Sequence, residues 1–585
     1  MRKILKYFLI IILSCAIVFV LFSCRSNKER VAEKTPVKKN TTGAAEQTQF
    51  AAMYVDGCAE RMKGNLQEAL KLFENCREID PQNAAVHYEL GTIHKLLGNT
   101  DKALEHAKFC ASHEPGNEWY QMLLIDCLIA SKQYQQAIKT REALVRNFPD
   151  KHEYREDLAI EYAISGEYDK SFKIYDDLEK TYGVNEQITL NKVKLLKSQK
   201  KYRDIERELL KLSASDKNEP RYYSYLAEHY IEQNEPEKAK KMYDQILLID
   251  PENPTVHLAL HDYYGNKGDH DLAYSHLKKA FANPDLDINT KVGIIANFYA
   301  RAEQNSLEAK TQGRELSQIM LQVHPASPEA NALYGDFLML DKKIAEASFY
   351  YYTAAMNERR DYRVWENLLF VDNELSHFDS LEKHSQLAIE FFPNQPRNYL
   401  YNGLANTQLR NYSKACQSLR DGIEFVVDNK VLMLDFLRLL GDAYHFNNEF
   451  EKSDKAFDDA LKIEADNPYV LNNYAYYLSL RSEQLDKAEK LSRRANELQP
   501  DNRNYMDTYG WILFRQKKYT SAEEWLGKAA ALGPKNPTIL EHYGDALYMV
   551  GKRQEALAQW NSAKHAGANS DAILKKIKEQ KLNDQ

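Results

Sequence analysis

The 585-residue chain is too long for one ordinary hydrophobic core. It is 44% hydrophobic and 28% charged, with only 22 Gly and 17 Pro, which excludes a disordered or collagen-like chain. A net charge of −7 gives no electrostatic footprint for binding nucleic acid.

The first 23 residues read as an export signal. Arg2, Lys3 and Lys6 form a basic head, and Leu9 to Leu21 is nearly all apolar. The segment ends in Leu21-Phe22-Ser23-Cys24. This Leu-x-Ser-Cys ending resembles the bacterial lipobox. The resemblance implies cleavage before Cys24 and a covalent lipid on that residue, with no other cofactor. A competing reading keeps Ile4 to Ser23 as an uncleaved signal anchor, since the run is about long enough to span a bilayer. Arg25, not Asp, follows Cys24. The resemblance therefore points to the outer membrane of a bacterial envelope, and the chain is expected to face the periplasm. Residues 24–48 are polar and lack apolar periodicity. They read as a tether averaging about 27 Å end to end.

From Phe50 onward a period of about 34 residues recurs. Its clearest copy is Arg503 to Lys535. Tyr509, Gly510 and Leu513 mark a first amphipathic helix. Tyr519, Ala522, Leu526 and Ala529 mark a second, and Pro534 stops it. One such hairpin cannot bury its apolar face alone, so copies must stack. Residues 49–284 hold the N-terminal repeats, with Leu90, Gly91, Gly98, Ala103 and Pro115 in register. Residues 285–326 break the pattern and read as a degenerate hairpin with longer helices, Gly313 falling where Ala is usual. Residues 327–567 hold the C-terminal repeats, among them Tyr334-Gly335, Gly441 and Tyr543-Gly544. Residues 568–585 read as a polar capping helix, Asp571 to Lys581, with a short tail.

These residues resemble the tetratricopeptide repeat. The resemblance implies an all-α, right-handed superhelical solenoid of about 15 hairpins. Small residues let the paired helices approach, and large ones fill the space around them.

Catalytic patterns are absent from the sequence. There is no His-Glu-x-x-His, phosphate loop or Gly-x-Ser-x-Gly. Ser275-His276-Leu277-Lys278 matches a Ser-x-x-Lys pattern by letter alone. The 16 His are scattered, none pairs with Cys at a metal spacing, and no metal is expected. Cys58 with Cys76, and Cys110 with Cys127, lie on neighbouring helices. They read either as disulfides or as small buried residues.

In stacked hairpins of this type the first helix lines a concave groove. The candidate groove set is Asn472, Asn473 and Tyr476, then Asp507, Thr508, Trp511 and Arg515, then Glu541, His542, Asp545 and Tyr548. Amides and rings in that arrangement suit an extended peptide. The other reading is that they bridge neighbouring helices. Arg438, Asp442, Asn473, Asn504 and Thr508 stand at the places of the two-carboxylate clamp of chaperone-binding relatives and do not reproduce it.

Met506-Asp507-Thr508-Tyr509-Gly510-Trp511 and Glu541-His542-Tyr543-Gly544-Asp545 resemble bacterial repeat lipoproteins over about 468–565. One of that group is an adaptor for a periplasmic carboxy-terminal processing protease. The expectation is a membrane-tethered, non-enzymatic scaffold or adaptor that binds envelope proteins or peptides. The alternative is a structural component or assembly factor of an outer-membrane or secretion machine, working through the convex face. An enzyme with a composite site is the third reading.

Overall fold

The computed structural model describes residues 43–533 and 535–582. The signal segment, Cys24 and most of the tether lie outside the described residues, as does Pro534. Every regular element among the described residues is an α-helix. None of them is long and apolar enough to cross a membrane.

The helices begin earlier than the tether reading expects. Ala44–Met62 starts inside residues 24–48. Gly43 N–H donates to Glu46 Oε2 at 3.1 Å, which closes the first turn. The run Ala-Ala-Glu-Gln that follows has strong helix propensity, so the polar composition did not prevent a helix.

The chain divides into two compact units, one ending at His229 and the other beginning at Tyr230. Within each, hairpins stack in chain order. The first and second helix of a hairpin pack together, and the second packs on the first helix of the next. In the first unit Phe73, Leu90 and Ile93 form one buried cluster, and Leu104, Leu123, Leu128 and Leu144 belong to another. In the second, successive clusters centre on Phe337, Trp365, Phe436, Tyr474, Leu526 and Trp560. Burying one such aromatic side chain stabilises by about 2–3 kcal/mol.

Local sequence explains the repeated hairpin. Asn502 Oδ1 accepts from the N–H groups of Asn504 at 3.1 Å and Tyr505 at 3.4 Å, capping Arg503–Arg515. Asn536 does the same for Pro537–Met549. Between paired helices the chain passes through a left-handed residue. Gly551 takes this place with φ 90°, but Lys517 occupies it at φ 64° and Lys342 at φ 60°. Gly510 permits the closest approach of its pair: a Cβ there would lie 2.6 Å from Leu526 Cγ and 3.1 Å from the Leu526 backbone nitrogen.

The irregular hairpin has long helices, as expected: Ile288–Glu303 and Leu307–Val323 have 16 and 17 residues. Gly313 is required there, because a Cβ would sit 2.3 Å from Phe337 Cζ. The 17-residue Lys430–Phe446 is another long helix, and the periodicity does not single it out. Asn429 caps it early by accepting from Leu432 N–H at 3.0 Å. Cys58, Cys76, Cys110, Cys127 and Cys416 are all free thiols, which favours the small-buried-residue reading over disulfides. The capping helix is present but shorter than expected, Asp571–Glu579.

Candidate functional site

The eleven candidate groove residues divide into two groups. Asn472, Asp507, Thr508, Trp511, His542 and Asp545 are buried, while Asn473, Tyr476, Arg515, Glu541 and Tyr548 are half-buried. An open row of ligand-facing side chains is therefore corrected for the first group, whose polar groups largely bond within the chain. His542 Nδ1 lies 3.0 and 3.1 Å from the two Asp507 carboxylate oxygens. The Trp511 ring stacks on His542 with centroids 4.0 Å apart, and on Phe514 at 4.9 Å. Arg515 Nε donates to Ser482 Oγ at 2.9 Å, and its guanidinium lies over Trp511. Tyr548 packs against Trp560. Asn472 Oδ1 and Trp511 Nε1 remain buried with no hydrogen-bond partner.

Asp545 has the most complete set of partners. Its carboxylate accepts from Lys576 Nζ at 2.7 and 2.9 Å and from Trp560 Nε1 at 2.9 Å. Lys576 also donates to Glu541 Oε1 at 2.8 Å. Lys576 belongs to the capping helix, so that helix meets the candidate groove residues directly. Leu582, just beyond it, packs against the clusters that contain Trp511 and Trp560.

The same device recurs one or more hairpins earlier. Asp442 accepts from Tyr469 at 2.7 Å, Tyr477 at 2.9 Å and Asn473 at 3.4 Å. Asp336 accepts from Tyr351 at 2.7 Å, Arg363 at 3.2 Å and Asn367 at 3.3 Å. Each carboxylate thus ties one first helix to the next. Burial pushes the Asp336, Asp442 and Asp545 carboxyls above the usual range, and the hydrogen bonds offset only part of that. His542 moves in the opposite sense from an ordinary buried imidazole. Burial lowers it, but the Asp507 charge and hydrogen bond raise it further, so the net direction is up.

The bridging reading, held as the alternative for the Asp545 row, extends to Asp336 and Asp442, and the sequence carries a signal for it. These three carboxylates each follow a glycine in a first helix: Gly335-Asp336, Gly441-Asp442 and Gly544-Asp545. The glycine lets the paired helix approach, and that approach buries the next side chain.

An open recess lies elsewhere in the second unit. A cleft of about 570 Å³ runs between Pro254–Lys267 and Ile288–Glu303. Leu258, Asp262, Tyr274, Asn297, Phe298 and Arg301 are among its lining residues. Asp262, Asn297 and Arg301 are exposed, so the floor is apolar and the rim carries both charges. Such a recess fits a peptide side chain and its backbone. Potential metal ligands also come together among the described residues, at Glu74, His94 and His106.

Comparison with known proteins matches tetratricopeptide-repeat models at residues 61–108, 96–158, 436–467 and 477–537. A TPR repeat-containing protein of Pseudomonas aeruginosa is 27% identical over 147 residues, which is 25% of this chain and 24% of that protein. Among solved structures, the APC/C hetero-tetramer Cut9-Hcn1 aligns with 85% of this chain and 96% of its own, at 14% identity and TM-score 0.34. Pseudomonas aeruginosa pilF aligns with 32% of this chain and 85% of its own, at 22% identity and TM-score 0.28.

Proposed function

Taking as premise that the chain carries tetratricopeptide repeats, a scaffold suited to protein–protein interaction, we propose that it is a membrane-tethered, non-enzymatic adaptor of the bacterial envelope. The lipid on Cys24 holds it at the outer membrane, facing the periplasm. Its partners are proteins or extended peptides. Delivery of substrates to a periplasmic carboxy-terminal processing protease is the narrower form of the same reading.

The observation that carries the proposal is the cleft at Leu258, Asp262, Asn297, Phe298 and Arg301. Phe298 with the Arg301 guanidinium over its ring offers an apolar surface beside a cation. Asp262 supplies the opposite charge, so an entering segment is selected by charge as well as shape. The C-terminal row is the weaker candidate, because Lys576 and His542 already satisfy its carboxylates.

Crosslinked envelopes give the test. Wild-type protein and an Asp262→Ala/Arg301→Ala double variant are pulled down, and the recovered proteins are compared. Loss of specific partners from the variant is expected. Identical recovery in kind and amount would end the cleft reading. For the anchor, Cys24→Ala is expected to move the chain from the membrane fraction to the soluble one.

A further inference from the structure

Three helices of the first unit, Leu66–Ile79, Ala84–Leu96 and Thr100–His113, bring Glu74, His94 and His106 together. One ligand-type atom from each lies within 4.8 Å of the others. His94 and His106 are buried, and Glu74 is half-buried at the open side.

The hydrogen bonds around this group fix which nitrogens are free. His87 Nε2 is 3.1 Å from the Pro81 carbonyl oxygen, which can only accept, so Nε2 carries the proton. Neutral His87 then has a bare Nδ1. That Nδ1 is 3.0 Å from His106 Nδ1, so His106 must donate there. The one lone pair left on His106 is at Nε2. This is the arrangement of a metal-bound imidazole whose second nitrogen is held by an outer partner. The His87 ring is itself pinned by Phe109, stacked at 3.7 Å.

His94 provides a second, independent sign. It is 2% exposed, and its Nε2 is buried with no hydrogen-bond partner. Its Nδ1 lies 3.4 Å from the Asn99 amide. A half-turn of that amide presents oxygen to an Nδ1–H and leaves Nε2 as a lone pair. Glu74 pairs with Arg77 through Oε2 at 2.7 Å. Its other oxygen is not used in that pair.

We propose that Glu74, His94 and His106 bind one divalent transition metal of the zinc class, with His87 as the positioning residue for His106. Two imidazoles and one carboxylate are a ligand set that zinc accepts with a further position left for water. The chain contains its own control. His257 and His276 repeat the relay in the second unit: His257 Nε2 is 3.0 Å from the Pro251 oxygen, and the two Nδ1 atoms are 3.0 Å apart. There, however, the ring stacked on His276 belongs to Tyr264, not to a histidine. Stacked rings at His94 and His106 have the same relation, 5.6 Å apart and nearly parallel. At the second relay Tyr264 stands where the first has His94, so no metal is expected there.

The experiment uses the full untagged chain, stripped with chelator and titrated with Zn²⁺ in a calorimeter, then with Co²⁺ to read ligand-field absorption. One equivalent is expected, with tetrahedral-type Co²⁺ bands and a higher melting temperature. Glu74→Gln, at a partly exposed position that folding tolerates, and His94→Gln should each weaken binding by at least the roughly 10–100-fold that losing an outer partner costs, and His87→Gln by about that much. His276→Phe should leave the single equivalent intact. No uptake, or uptake of equal affinity in Glu74→Gln and His94→Gln chains whose metal-free melts match wild type, would overturn the proposal.

Discussion

At the scale of single residues, buried charges set the conduct of the C-terminal repeats. Lys576 is 2% exposed and its partner Asp545 is 1% exposed. Lys576→Ala leaves a buried carboxylate with only Trp560 as donor, and is expected to cost about 3–5 kcal/mol. Chemical denaturation followed by Trp fluorescence measures this. Two histidines should give opposite pH responses. Burial, aided by Arg481, lowers His445 to about 4. Between the ordinary imidazole value of about 6.5 and about 4, the unfolded chain takes up a proton that the folded one refuses, so stability falls on acidification. His542 has a raised folded value. Its contribution is complete below the ordinary value and is lost as pH climbs through the raised one. Melting temperatures across pH are expected to decline on both sides. His445→Gln flattens the acid limb and Asp507→Asn the alkaline limb.

At the scale of helices and hairpins, the close approach at Gly510 is the tightest constraint on the repeat Arg503 to Lys535. Gly510→Ala should destabilise by about 1–3 kcal/mol, since Leu526 must shift with its backbone. Lys517 has the reverse sign. It stands at φ 64° where Gly551 stands in the next hairpin, so Lys517→Gly should stabilise by about 1 kcal/mol, read as a rise in melting temperature. The hairpin pattern was legible because it rests on local rules: small residues at contacts, a proline that ends the second helix and a period that returns. The long irregular pair at 288–323 was legible for the same reason, as a break in that period. The site was less so. Asp507, Trp511, His542 and Asp545 read as facing an open groove, but whether that face meets solvent or the next helix depends on residues 31 to 35 positions away. Leu582 and Lys576 come from a segment that composition marks only as polar. The Glu74, His94 and His106 group escaped because its members lie on three different helices, with no fixed spacing to search for.

At the scale of the molecule, each unit is a stack in which a hairpin meets mainly its neighbours, so stability is close to a sum of local terms and unfolding need not be two-state. Hydrogen exchange is expected to report graded protection, lowest at the ends. The helix Asp571–Glu579 occupies the position that the first helix of another hairpin would take, and Ile573 is fully buried under it. Ending the chain before Asp571 would bare an acceptor for any matching helix, including one from a second molecule. Head-to-tail joining of that kind has no built-in closure, so the shortened protein should grow into chains with rising concentration, visible by light scattering. The short helix thus covers the face at which such chains would join.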